Sequence, residues 1–127
     1  MPSGIGCYAK NPDICGGVNC GEIETWDVSA VTSVQAMFQD ASAFNADISG
    51  WNTSAVTEMR QMFQSATTFN QDISSWDVSA VKFMFNMFRS AKAFDQDLSD
   101  WNVAAGTKMN NMFLDTSFNK AFMPTAA

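Results

Sequence analysis

The sequence predicts an α/β solenoid in which four stacked units each contribute one short parallel strand and one short helix. Three observations carry the prediction. Tryptophan recurs at Trp26, Trp51, Trp76 and Trp101, 25 residues apart each time. Other columns keep that register: Met37-Phe38, Met62-Phe63, Met87-Phe88 and Met112-Phe113 form one, and Val34, Met59, Met84 and Met109 another. Within a unit, the apolar spacing changes midway from a period of two to a helical one. Self-similarity at such a period marks an array whose units bury their apolar faces against each other.

The elements follow in chain order. Residues 1–21 hold Cys7, Cys15 and Cys20 and the loop-like run Gly16-Gly17-Val18-Asn19-Cys20-Gly21. They read as an irregular cap over one end of the stack. A short cap gains from a crosslink, which predicts one disulfide joining Cys15 to either Cys20 or Cys7. That bond implies an oxidising compartment: the cell surface, the extracellular space or an organellar lumen. The odd count leaves one thiol over. A zinc site is excluded, because four ligands are wanted and the chain has no histidine.

Residues 22–127 read as four repeats, the last one degenerate. In the third, Trp76 and Val78 alternate across Asp77, the period of a strand with one buried face. Ser79 stands where a helix N-cap would stand, and Ser54 begins a loose capping box with Thr57 and Glu58. Val81, Met84, Phe88 and Ala91 then fall on one helical stripe, with Met87 at its edge. Phe94 to Asp97 closes the unit as a loop. Strands of adjacent turns would lie ~4.8 Å apart in a parallel sheet. In the fourth unit Ala104-Ala105-Gly106 replaces Ser-Ala-Val and Pro124 follows, as in a terminal repeat.

The run Trp76-Asp77-Val78-Ser79 through Met84, Met87-Phe88, Ala91 and Phe94 to Asp97-Leu98-Ser99 resembles the BspA-like bacterial surface protein repeat, a variant of the leucine-rich repeat. All four units carry it. The resemblance implies a leucine-rich-repeat-like fold and an adhesion or protein-interaction module without enzymatic activity. It supplies no catalytic residues. The family's presence in protists adds an alternative: a structural accessory subunit docked in a large complex, including an organellar or photosynthetic membrane one.

Composition points the same way. Hydrophobic residues make up 46% of the 127, enough for the core of one domain. Thirteen acidic residues against seven basic give a charge of -6, which disfavours nucleic acid or an anionic membrane as partner. The absence of histidine removes the Ser-His-Asp and Cys-His machines. No stretch approaches the ~18 apolar residues of a membrane span, and Met1 to Lys10 lacks the regions of a signal peptide. We expect no enzyme, no cofactor and no metal, and one or more protein partners.

Candidate site residues come from the columns and their exceptions. Trp26, Trp51, Trp76 and Trp101, with the methionines, are expected to pack the core; a copper site on the methionines is the minor alternative. Asn45, Asn70, Asp95 and Asn119 follow the column phenylalanine and are expected to bond the backbone of adjoining turns. Asp47, Asp72 and Asp97 are expected to accept turn amides, with calcium as the alternative. Asp27, Asn52, Asp77 and Asn102 would form a polar row on the outer sheet face. Phe83 and Phe85 stand in columns that are otherwise Ser33, Glu58 and Lys108, and Gln35, Arg60 and Asn110. On a helix they would lie roughly 200° apart, so at least one would reach a surface or a partner.

Overall fold

The computed structural model describes residues 23–127, and structural statements below refer to these. Cys7, Cys15 and Cys20, the expected disulfide and the expected cap at 1–21 lie outside them.

The repeats stack in register, but not as strands and helices. Among the described residues the only helical elements are two 3₁₀ turns, Ile23–Thr25 and Lys120–Phe122. There is no α-helix and no extended strand. The α/β solenoid is therefore replaced by stacked irregular turns. Adjacent turns touch through isolated parallel bridges, Ser33 to Glu58, Glu58 to Phe83 and Phe83 to Lys108. These bridges fall where the helix was expected. Trp76-Asp77-Val78 alternates buried, exposed, buried, yet makes no bridge.

Hydrogen bonding explains why no helix forms. The N–H groups of Val34, Ala36, Phe38 and Asp40 donate to the carbonyls of Glu58, Arg60, Met62 and Gln64 in the next turn. Those of Met37, Gln39 and Ala41 donate three residues back, to Val34, Ala36 and Phe38. Alternate amides thus serve the neighbouring turn and the turn itself. Two residues per unit make this possible by taking left-handed backbone. Ala36, Gln61, Asn86 and Asn111 have φ of 54° to 58°, and Asp40, Ser65, Ser90 and Asp115 have φ of 59° to 62°. A right-handed helix cannot pass through such residues. The three-residue turns also account for the misleading stripe. They bury Val81, Met84, Met87, Phe88 and Ala91 at intervals of one to three, which a helix also approximates.

The core is one cluster running from Ile23 to Phe118. Its axis is a double file of rings. Phe38, Phe63, Phe88 and Phe113 stack at centroid distances of 5.5, 5.4 and 5.4 Å. Phe44, Phe69, Phe94 and Phe118 stack beside them at 5.6 to 5.9 Å. Trp51 and Trp76 are parallel within 2° at 6.3 Å. Aromatic rings tolerate this spacing in offset stacks, so the files accommodate the rise that the backbone hydrogen bonds between turns impose. The indoles of the second, third and fourth turns also have a polar partner. The Nε1–H of Trp51, Trp76 and Trp101 donates to the carbonyls of Ile23, Ile48 and Ile73.

Candidate functional site

Three polar columns line the outside of the stack. Asn45, Asn70 and Asp95 each accept from the next turn: Asn70 N–H donates to Asn45 Oδ1 at 2.9 Å, Asp95 N–H to Asn70 Oδ1 and Asn119 N–H to Asp95 Oδ1, both at 3.0 Å. Gln71 and Gln96 strengthen this ladder through Nε2, which donates to Asn45 and Asn70. Asn119 ends it by accepting from Ala121 N–H as N-cap of the last 3₁₀ turn.

The carboxylate columns close local turns. Asp47, Asp72 and Asp97 accept the amides of Ser49, Ser74 and Ser99 at 2.9 to 3.0 Å. Asp27, Asn52 and Asp77 do the same for Ser29, Ser54 and Ser79, and accept their hydroxyls too. Ser79 and Ser54 are therefore donors to the residue two before them, not helix caps. Asn102 lacks such a partner, because Ala104 stands where serine stands in the other units. The serine hydroxyls and amides hold Asp27, Asp47, Asp72, Asp77 and Asp97 below the usual carboxylate range. The row Asp27, Asn52, Asp77 and Asn102 is exposed, but on turns, since no sheet exists to carry it. Among the described residues no group of three His, Cys, Asp or Glu could hold a metal ion.

Phe83 and Phe85 define a different surface. They lie on one side of the chain, ring centroids 6.3 Å apart and nearly perpendicular. The helical wheel put them on opposite sides. Without a helix, residues two apart in an alternating backbone face the same way. The Arg60 guanidinium of the preceding turn sits over both rings, 5.8 Å from Phe83 and 5.5 Å from Phe85. Arg60 is itself fixed from two sides. Its Nε lies 3.2 Å from Glu58 Oε2, and its Nη2 donates to Gln35 Oε1 at 3.3 Å. The Arg60 amide donates to Glu58 Oε1. Glu58 is mostly buried, at 13% side-chain exposure, which limits solvent screening of the pair.

The result is a braced aromatic patch. Phe83 is 37% exposed and Phe85 partly so. Sequence reading found the two rings through their break with the column. It missed Arg60, Glu58 and Gln35, whose bracing crosses from one turn to the next. A cation over aromatic faces stiffens rings that would otherwise move freely, and reduces the ordering cost of a contact made there.

Stacked repeats with a continuous core, polar columns outside and one aromatic break define a repeat protein. Residues 11–124 match the family described as "Mycoplasma protein of unknown function, DUF285", and the chain belongs to that family. No curated protein and no solved structure matches it. Among the described residues no helix is long and apolar enough to cross a membrane.

Proposed function

We propose that the chain is a non-catalytic protein-binding module of the surface-repeat kind, and that it binds through the patch of Phe83, Phe85 and Arg60. The observation that carries the reading is the patch itself. Two aromatic side chains replace polar ones in columns two positions apart, face the same way and are held by an arginine from the preceding turn. Exposed aromatics with a neighbouring arginine are the side chains that dominate protein interfaces. The absence of histidine supports a non-catalytic role. So does the sameness of the acidic columns, because acid–base chemistry needs carboxylates in unlike environments. The resemblance to BspA-like repeats makes adhesion at a cell surface the specific form of this function.

The test exchanges Phe83→Ser and Phe85→Gln, the residues of the first turn. Immobilised wild-type and variant chains are compared for the proteins they capture from extracts of the source organism. The reading expects a protein held by the wild type and lost by the variant, at unchanged thermal stability. Identical capture by both chains would overturn it.

A second reading is a subunit docked permanently in a larger assembly. It is favoured by the last turn, where Leu114 and Met123 are 45% and 37% exposed beside an apolar cavity of about 380 Å³. This reading expects the protein to be recovered from its source at a native mass far above 13.9 kDa, with the partner always present.

A further inference from the structure

We propose that the face carrying Phe83, Phe85 and Arg60 takes an acidic segment of a protein partner, with an apolar side chain on the rings and carboxylates on either side of them. This rests on the reading that the patch binds protein, and adds the chemistry of what is bound.

The register of the turns sets the rings between two cations. Phe83 bridges Glu58 of the turn before and Lys108 of the turn after, both in parallel. Residues bridged in this way project their side chains to the same side, ~4.8 Å apart. Glu58 and Lys108 therefore flank Phe83 in one file. On the Glu58 side the exposed charge is positive. The Glu58 carboxylate is mostly buried and is taken up by Arg60, whose guanidinium lies over both rings. On the other side Lys108 is exposed, as is Lys82 beside Phe83 in the chain. Among the described residues neither lysine forms an ion pair.

The acidic columns do not neutralise these cations. Asp27 and Asp77 close on Ser29 and Ser79, and Asp47, Asp72 and Asp97 on the serines two residues after them. None of the five pairs with a lysine or arginine among the described residues. A chain of net charge -6 thus keeps a small cationic aromatic face. Charges act over about 8 Å at physiological salt, so a carboxylate at the rings meets Arg60 and Lys108 ahead of the net charge. A basic segment would set like charges against both. A neutral one would desolvate them without a counter-charge.

The partner's apolar part has room as well. Beside the face, next to Lys82 and Thr107, lies a groove of about 470 Å³ lined also by Thr57, Val81 and Ala105. Gly106 in its wall stands where Val31, Val56 and Val81 stand in the earlier turns. Nothing lies within 4 Å of the place a Cβ on Gly106 would take. The missing valine leaves space for a small apolar side chain, with Lys82 at the rim.

Fluorescence anisotropy of dye-labelled peptides against the 127-residue chain tests this. The probe is a phenylalanine with two glutamates on each side, and its counterparts carry glutamine or lysine instead. The glutamate peptide should bind tightest and the lysine peptide weakest, and added salt should shrink the difference. Lys108→Glu reverses a charge with no partner in its own chain. It should leave the melting temperature unchanged and weaken the glutamate peptide by about three- to tenfold. Phe83→Ser with Phe85→Gln should abolish binding of every peptide. If the glutamate peptide binds no better than the glutamine one, or as well to Lys108→Glu as to wild type, this proposal is overturned. The patch remains a binding surface if the phenylalanine exchange still abolishes binding, and both readings fall if it does not. If no peptide binds, this proposal falls and the capture comparison decides the reading beneath it. Two other occupants would also overturn it. Equal affinity for a single-stranded oligothymidylate would mark a general polyanion site. Salt-sensitive self-association in sedimentation, lost in Lys108→Glu, would put the acidic columns of a second copy there.

Discussion

The indole N–H of Trp76 donates to the carbonyl of Ile48, 3.0 Å away and 28 residues earlier in the chain. The same carbonyl accepts from the amide of Trp51, so one acceptor ties two turns together. Trp76→Phe keeps an aromatic ring in the file but loses the indole donor. We expect a loss of about 1–2 kcal/mol for the bond, with a further contribution from the volume removed. Urea unfolding followed by far-ultraviolet dichroism measures it. A loss far below that would mean that the indole bond adds nothing.

The left-handed backbone at Ala36 makes a prediction of opposite sign to that for a helix. Ala36 has φ of 54°, which costs alanine energy and glycine almost none. Ala36→Gly should therefore stabilise the protein by about 0.5–1 kcal/mol, net of the extra freedom glycine has when unfolded. In a helix the same change would destabilise by about 1 kcal/mol. The direction of the shift in melting temperature distinguishes the two.

Asn70 both donates to the ladder through its amide and accepts through its side chain. Asp95 fills the equivalent place one turn later and accepts the amide of Asn119 just as well. Asn70→Asp should therefore be nearly neutral. Asn70→Ala should cost about 0.5–1.5 kcal/mol, since it strips the acceptor from Asp95 N–H and Gln96 Nε2. Chemical denaturation of the two variants side by side reads the difference.

The Asp–Ser turns predict acid sensitivity. Serine donors lower the folded-state values of Asp27, Asp47, Asp72, Asp77 and Asp97 from 3.8. A depressed carboxylate contributes stability above its unfolded value and loses it as pH falls through the folded one. Melting temperature should therefore hold steady down to about pH 4 and drop below it. Asn52 shows that the turn works without a charge, because its Oδ1 accepts from Ser54 N–H and Oγ–H at 3.1 and 2.7 Å. Asp77→Asn should keep the turn and remove its share of the drop, as thermal melts across the acid range would show.

Period, register and the buried columns were legible in the sequence, because burial leaves its mark on residue type. Trp76, Met84, Phe88 and Phe94 recur because each fills the same place in successive layers. The polar columns were legible for the same reason. Backbone conformation was not. Successive three-residue turns bury side chains at intervals that a helical stripe also satisfies, so Val81, Met84, Phe88 and Ala91 fit both. A signal was present at Asn86 and Asn111, and at Asp40 and Asp115, residue types that tolerate left-handed backbone. Its meaning appears only when the column is read as a whole. The brace of Arg60 on Phe83 and Phe85 was out of reach for a different reason. It joins residues in different turns whose relative placement depends on the backbone that the spacing concealed.

The one-way rows of N–H and C=O also give the stack an electrical polarity. Along Val34 to Asp40 and its equivalents, four amides per turn point toward the later turns. A single reversed bond, such as that from Thr57 N–H to Thr32, subtracts from them. Peptide dipoles aligned in this way add. The positive pole therefore lies at the last turn and the negative pole at the first. An α-helix running in the same chain direction has the opposite sense, so acidic groups are favoured beside the end of this stack and basic groups beside its beginning.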